Sequence, residues 1–490
     1  MRISSFVVLF LFFHRSFAQQ IDSLALSSLT DATLALQNSE FLENGTLAFC
    51  VKSTKDDRTI LALNYNRSVP SASTLKLVST ASALSVLGGD FSYKTYLEFD
   101  GTIEKDTLRG NIYVRGTGDP TLGSERFSDR PSFSTVVGQW EAAIKKAGIR
   151  HITGSILADP TYFDAKALPD SWIWGDLGNY YGAGVQGLNI NENSYRLFFR
   201  SGKSVGDPVE LVKTEPELPN FRLTNKVTTE EPGTGDQVLI YASPLSKEIV
   251  LTGTIPKGTS LFSVKGALPD GAFQAAYFLT QALRKQAILT GSEPGVLVGP
   301  LSNDMSPRTT LDEQTSPSLK QICQQTNWWS VNLFADGLLK TTGKRLVYQS
   351  DYDNAVKAIK NYWISKGIDM QGFFVKDGSG LSPSGSLTVN NLTGILNAMT
   401  KDRAYRDFYE SIAVLGQHGT VRNLGKGTRA AGNVRAKSGS IEGTRAYAGY
   451  VTTKSGEQLS FAMIAHKYDP ESSKEVSSRL VQLMILLAEL

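Results

Sequence analysis

Histidine is scarce in this chain, with four in 490 residues, and there are only two cysteines. Two cysteines cannot build a disulfide scaffold, and no C-x-x-C pair or H-E-x-x-H stretch offers a metal site. Neither charge prevails: 50 Lys and Arg against 47 Asp and Glu leave +3, too balanced to argue for a nucleic-acid partner. No apolar run approaches the roughly 20 residues that cross a bilayer, and there is no repeat or low-complexity segment. What remains is 41% hydrophobic and 20% charged with 44 Gly and 18 Pro, a globular composition long enough for about three domains. An enzyme of this composition works mostly without histidine.

The first residues read as a signal rather than as fold. Met1-Arg2 is basic, Phe6–Phe13 is an unbroken apolar run, and Ser16-Phe17-Ala18 places small residues for cleavage after Ala18. Removing residues 1–18 takes two arginines and no acid, leaving +1. The chain is therefore expected to be exported, with at most a peripheral membrane contact. Cys50 and Cys323 are free to pair or to remain buried thiols.

Along the rest of the chain, residues 47–52 and 59–64 look like an antiparallel hairpin, followed by a helix over Thr74–Leu87 closed by Gly88-Gly89. From about 90 to 290 short strand-like runs alternate with turns, among them Asn111–Val114 and Ile156–Ala158, interrupted by a helical stretch at Val136–Ala147. Helical patterns return at Phe273–Lys285, Ser318–Thr341 and Asp353–Lys366. The end reads strand, turn, strand, helix: Ala446–Val451, Leu459–Ala465 and Glu475–Leu490, the last packing on a sheet. This predicts one core domain assembled from residues 19–89 and 291–490. Into it 90–290 is inserted as β-rich material, two small domains.

Without histidine, a nucleophile can be activated by lysine. Ser73-Thr74-Leu75-Lys76 is the sole S-x-x-K in the chain and stands at a helix start. Positions i and i+3 share a face, so a neutral Lys76 amine can reach the Ser73 hydroxyl. The helix N-terminus favours negative charge developing at Ser73 and lowers the pKa of a nearby ammonium. Ser330-Val331-Asn332, the sole S-x-N, lies at a turn entering the Leu333–Lys340 helix, where a hydroxyl can relay a proton and a carboxamide can hold an amide. Lys437-Ser438-Gly439 precedes Ser440 at a strand edge where glycine lets a substrate backbone approach. A second triplet, Lys454-Ser455-Gly456, sits between apolar strands as a hairpin tip and is given no role.

S-x-x-K, S-x-N and K-[ST]-G in this order resemble the signature set of penicillin-binding proteins and serine β-lactamases. The chain is similar to the low-molecular-mass class C penicillin-binding proteins, the D-alanyl-D-alanine carboxypeptidase/endopeptidase (peptidase S13) family. Further similar segments are Arg115-Gly-Thr-Gly-Asp-Pro-Thr-Leu, Ile156-Leu-Ala-Asp-Pro-Thr-Tyr-Phe, Trp172-Ile-Trp and Asp377-Gly-Ser-Gly-Leu-Ser. The 257 residues from Ser73 to Ser330 also fit, since single-domain relatives of that fold have a much shorter interval.

The resemblance implies an α+β fold of the serine β-lactamase/DD-peptidase type. An antiparallel sheet is flanked by helices beside a helical subdomain, with small β-rich domains inserted. It implies Ser73 as nucleophile forming an acyl-enzyme, and Lys76 as general base, kept neutral by Lys437 and partial burial. Ser330 would pass a proton to the leaving amine, and Asn332 would bind the substrate amide and steady Lys76. Lys437 would supply positive potential for a carboxylate and Ser438 a hydrogen bond to it. The N–H groups of Ser73 and Ser440 would form an oxyanion hole, and Gly439 would let the substrate backbone approach the strand. Asp159 would lie near the substrate's side-chain amine, and Asp377–Gly380 would shape a loop beside the site. Pro383 stands where some relatives carry an arginine for the stem peptide's carboxylate, so that contact is not expected here. His418 is read as structural. The N-x-[ST] sites at Asn44, Asn66 and Asn391 would matter only in a eukaryotic secretory pathway. Expected partners are peptidoglycan stem peptides ending in D-Ala-D-Ala and β-lactams, with no cofactor. The alternatives are a wall-binding protein without turnover and a serine β-lactamase. Against the second, no Glu is placed to activate a deacylating water.

Overall fold

The computed structural model describes residues 22–243, 246–258, 261–298 and 307–490. The signal segment proposed for 1–18 lies outside them. A five-stranded antiparallel sheet forms from both ends of the chain. Its order is Thr59–Leu63, Thr46–Ser53, Gln458–His466, Thr444–Thr452 and Arg435–Ile441. Side chains alternate across it with period two. Leu47, Phe49, Val51, Phe461 and Met463 point to one face, where the helices Ser23–Gln37 and Ser473–Glu489 cover them. Ala48, Cys50, Ala446, Ala448 and Ala462 point to the other. Those small residues let the second helical layer approach closely, and that layer carries the site.

The layer is built around the helix Lys76–Leu87, buried on every side from Lys76 to Ser85. A helix packed all round buries its hydroxyls as well, and each must find a partner. Ser79 donates to the Gly378 carbonyl at 2.6 Å, and Ser82 accepts from Trp363 Nε1 at 2.9 Å. Against this helix pack Leu319–Trp329, Asn332–Val347 and Val389–Thr400, with Tyr352–Ser365 on Asn332–Val347. Val389–Thr400, absent from the sequence reading, is closed at its start by Thr388, whose hydroxyl accepts from Asn391 N at 2.9 Å. The helical stretch Ser318–Thr341 is two helices, parted at the expected turn, where Ser330 takes φ 60°, ψ 39° and breaks the ladder.

The insert contains a five-stranded sheet ordered Gly295–Val296, Ile156–Asp159, Ile112–Gly116, Lys94–Phe99, Thr309–Thr315. Its two outermost strands fall beyond the boundary at 290 drawn from the sequence. A three-stranded sheet, Glu210–Glu215, Ser194–Arg200 and Phe262–Ala267, lies in the same insert. The helices Phe133–Lys146 and Gly271–Lys285 join both sheets to one continuous apolar cluster. Both cysteines are free and buried, so the open question of pairing resolves as two thiols. No helix among the described residues is long and apolar enough to cross a membrane.

Candidate active site

Ser73 sits in the tight turn Ala72–Leu75 that feeds the helix Lys76–Leu87. Ala72, with φ 44°, occupies the left-handed region, a strained conformation for a residue with a Cβ. That kink holds the Ser73 hydroxyl against Lys76, whose Nζ donates to Ser73 Oγ at 2.8 Å and to the Ser379 carbonyl at 2.7 Å.

Lys76 is fully buried, which pushes its ammonium down to about 7, while the Asp336 and Asp377 carboxylates pull it back up. Lys437 is also fully buried and is held well below the usual lysine range, first by burial and then by Lys76 and Arg445. Burial is thus the larger cause for Lys76, and it is complete rather than partial. Asp336 is pushed up to about 8 by burial and by Asp377. Its Oδ1 accepts from Gly378 N at 2.6 Å, and its Oδ2 has no partner among the described residues.

The loop Asp377–Ser382 is pinned from three sides. Asp377 accepts from Gly380 N at 2.8 Å, from Ser382 N at 2.8 Å, and from Trp172 Nε1 of the insert at 2.7 Å. Gly380 lies at φ +76°, and a Cβ there would stand 1.9 Å from the Ala72 carbonyl oxygen, so only glycine lets the loop rest on the Ser73 turn.

Arg435–Ile441 is an edge strand of the sheet. It lies so close to the Ser73 turn that a Cβ on Gly439 would meet Ser71 O and Ser73 N at 3.0 Å. Ser440 follows on the exposed edge. Ser438 Oγ shares a hydrogen bond of 2.7 Å with Thr420 Oγ1. Thr420, in the run Gln-His-Gly-Thr, was missed from sequence because only the neighbouring histidine drew attention. His418 stacks on Trp328 at 4.2 Å between ring centroids.

Ser73, Ser330, Asn332, Thr420 and Ser440 line one cavity of about 940 Å³. Asn332 Nδ2 donates to the Tyr181 carbonyl of the insert at 2.8 Å. Its expected support of Lys76 is not realised here, because the hydrogen bonds of Lys76 go to Ser73 and Ser379. Asp159 also departs from expectation and does not line the cavity. It is fully buried in the insert's sheet, where its carboxylate accepts from Arg308 Nη1 at 2.7 Å and from Thr161 Oγ1 at 2.6 Å. Its partner Arg308 is 149 residues away in sequence, and no local signal joined them. The insert contributes Arg126, Asp176, Tyr180, Tyr181 and Lys265 to the cavity wall, none of them apparent from sequence spacing. Among the described residues no three His, Cys, Asp or Glu side chains converge as metal ligands would.

The chain is 24% identical over 451 residues to a D-alanyl-D-alanine carboxypeptidase of Actinomadura sp. (strain R39), covering 90% of this chain and 81% of that one. It is 23% identical to D-alanyl-D-alanine carboxypeptidase DacB of Haemophilus influenzae, covering 94% of each. The crystal structure of penicillin binding protein 4 (dacB) from Haemophilus influenzae superimposes with a TM-score of 0.78 at 22% identity, over 95% of this chain and 99% of that one, which shows the shared α+β fold. Residues 30–486 match the family described as D-Ala-D-Ala carboxypeptidase 3 (S13), so the chain belongs to that family of serine hydrolases.

Proposed function

We propose that this chain hydrolyses the terminal D-Ala–D-Ala bond of peptidoglycan stem peptides, and the corresponding cross-links, through an ester on Ser73. The observation that carries the reading is the 2.8 Å contact between Ser73 Oγ and a lysine amine buried enough to lose its proton near neutrality. Neutral Lys76 takes the hydroxyl proton as Oγ attacks the carbonyl of the penultimate D-alanine. The N–H groups of Ser73 and Ser440 receive the oxyanion, each such donor being worth about 3–4 kcal/mol. Ser330 relays that proton from Lys76 to the departing amine, and D-alanine leaves with Lys76 neutral again. Water then attacks the ester, its proton goes to Lys76 and from there to the departing Ser73 Oγ, and the enzyme is restored.

Lys437 and Lys76, buried together, disfavour two protons at once. A substrate carboxylate docking beside Ser438 and Thr420 favours the proton on Lys437 and leaves Lys76 as the neutral base. Asn332 holds the substrate amide. The same attack opens a β-lactam ring, whose leaving nitrogen stays tethered, so the adduct persists.

We read 19–89 with 291–490 as the catalytic unit, apart from the strands Gly295–Val296 and Thr309–Thr315, and 90–290 as the insert. We place the protein outside the cytoplasm, in a bacterial periplasm or cell envelope, as the segment 1–18 suggests. The test is labelling of residues 19–490 with a fluorescent penicillin, together with D-alanine release from a D-Ala-D-Ala peptide. Label and release by the parent but not by Ser73→Ala support the reading. A folded parent that takes no label and releases no D-alanine overturns it.

A further inference from the structure

The Ser73 cavity does not stop at the catalytic unit. It shares Glu192, Ser194 and Lys265 with a second cavity of about 740 Å³ lined wholly by the insert. At this junction Glu192 is almost buried and is already satisfied. It accepts from Ser124 Oγ at 2.6 Å and from Arg126 Nε at 2.9 Å. Lys265 Nζ stands 3.7 Å from its other oxygen, an ion pair without a hydrogen bond. Among the described residues the Lys265 ammonium donates no hydrogen bond, and neither do the two Nη groups of Arg126. Nearby Arg196 pairs with Glu125 at 3.7 Å, so three cations face two carboxylates. Burial, with Arg126 and Arg196 adding like charge, lowers the Lys265 ammonium despite Glu192. The Arg126 and Lys265 side chains stay 27% and 29% exposed, so their unused donors and the surplus positive charge face the cavity, where an anionic group can meet them with charge-assisted hydrogen bonds.

We propose that Arg126 and Lys265 form a subsite for a carboxylate carried by the part of the peptide substrate remote from the scissile bond. This inference rests on the function proposed above. A substrate that reaches from Ser73 to Lys265 occupies both the catalytic unit and the insert, so the insert reads substrate length and charge.

Either cation can be removed singly and leave Glu192 paired, so Arg126→Gln and Lys265→Gln should both fold. The experiment measures kcat/KM for D-alanine release from synthetic peptides ending in D-Ala-D-Ala. Each peptide carries a carboxylate on the third or the fifth residue from its C-terminus, and each is paired with its carboxamide counterpart. The parent is expected to prefer at least one carboxylate peptide by roughly tenfold, the effect of one charge-assisted hydrogen bond. That ratio should fall below about threefold in both variants. Equal rates for every pair in the parent, or a preference that survives in both variants, overturns the subsite while the carboxypeptidase reading stands. No release from any peptide overturns the reading beneath it as well.

Discussion

Replacing Asp336 by Asn should leave the enzyme's acylation in mild acid almost unchanged. Lys76 acts as a base only when neutral, and its ammonium is pushed down to about 7 by burial against the pull of Asp336 and Asp377. Below that midpoint the neutral fraction, and with it the acylation rate, falls tenfold per pH unit, so about a tenth of the plateau rate remains one unit below. Asparagine keeps the acceptor for Gly378 N and sets an amide where Oδ2 has no partner. Asp336 is itself pushed up to about 8, so near pH 6 it holds its own proton, and asparagine replaces one neutral group by another. The acid limb is then set by the burial of Lys76 and should stay in place, with acylation near pH 6 within about twofold of the parent. Stopped-flow acylation by a fluorescent penicillin from pH 5 to 9 measures both limbs. A flat parent profile, or an acid limb that moves by a full pH unit in Asp336→Asn, refutes the reasoning.

Other expectations follow from single contacts. Trp172→Phe removes the Nε1–H bond to buried Asp377 and should cost about 1–3 kcal/mol in urea unfolding, with slower acylation because the loop carrying Ser379 loosens. Wild-type stability together with wild-type acylation would contradict it. Arg308→Met leaves Asp159 and Glu98 as buried acids without that cation and should cost about 3–5 kcal/mol, whereas a loss under about 1 kcal/mol would mean the pair is dispensable. Gly380→Ala drives a Cβ into the Ala72 carbonyl and should slow acylation more than about tenfold in a protein that still folds. A thiol reagent should find no reactive cysteine in the native protein and two after unfolding.

The three short motifs were legible because their chemistry is local. Ser73 and Lys76 are one helical turn apart, and Lys437 to Ser440 run along a single strand. The sheet was half legible, since period-two patterns marked its strands but not the order that puts Thr46–Ser53 beside Gln458–His466. What stayed hidden are pairings made only by folding. Asp336 looks like an ordinary polar position in a helix until Asp377 and Lys76 are brought against it. Asp159 matched a family aspartate in sequence, and its burial against Arg308 depends on where the strand Ile156–Asp159 packs. The turn at Ser330 was placed beside the S-x-N triplet rather than by helical periodicity, which continues through it, and the left-handed φ of 60° there was not foreseen.

The pairing of Thr46 with His466 also determines when the enzyme comes into being. A ribosome that has made 440 residues has supplied Ser73, Lys76, Ser330 and Lys437, but neither Thr444–Thr452 nor Gln458–His466, the two strands that lie between Thr46–Ser53 and Arg435–Ile441 in the sheet. Contacts this far apart in sequence form late, because the closure entropy is lost before the pairing repays it. The growing chain therefore carries every reactive group without a working cleft, and activity begins only with the finished polypeptide.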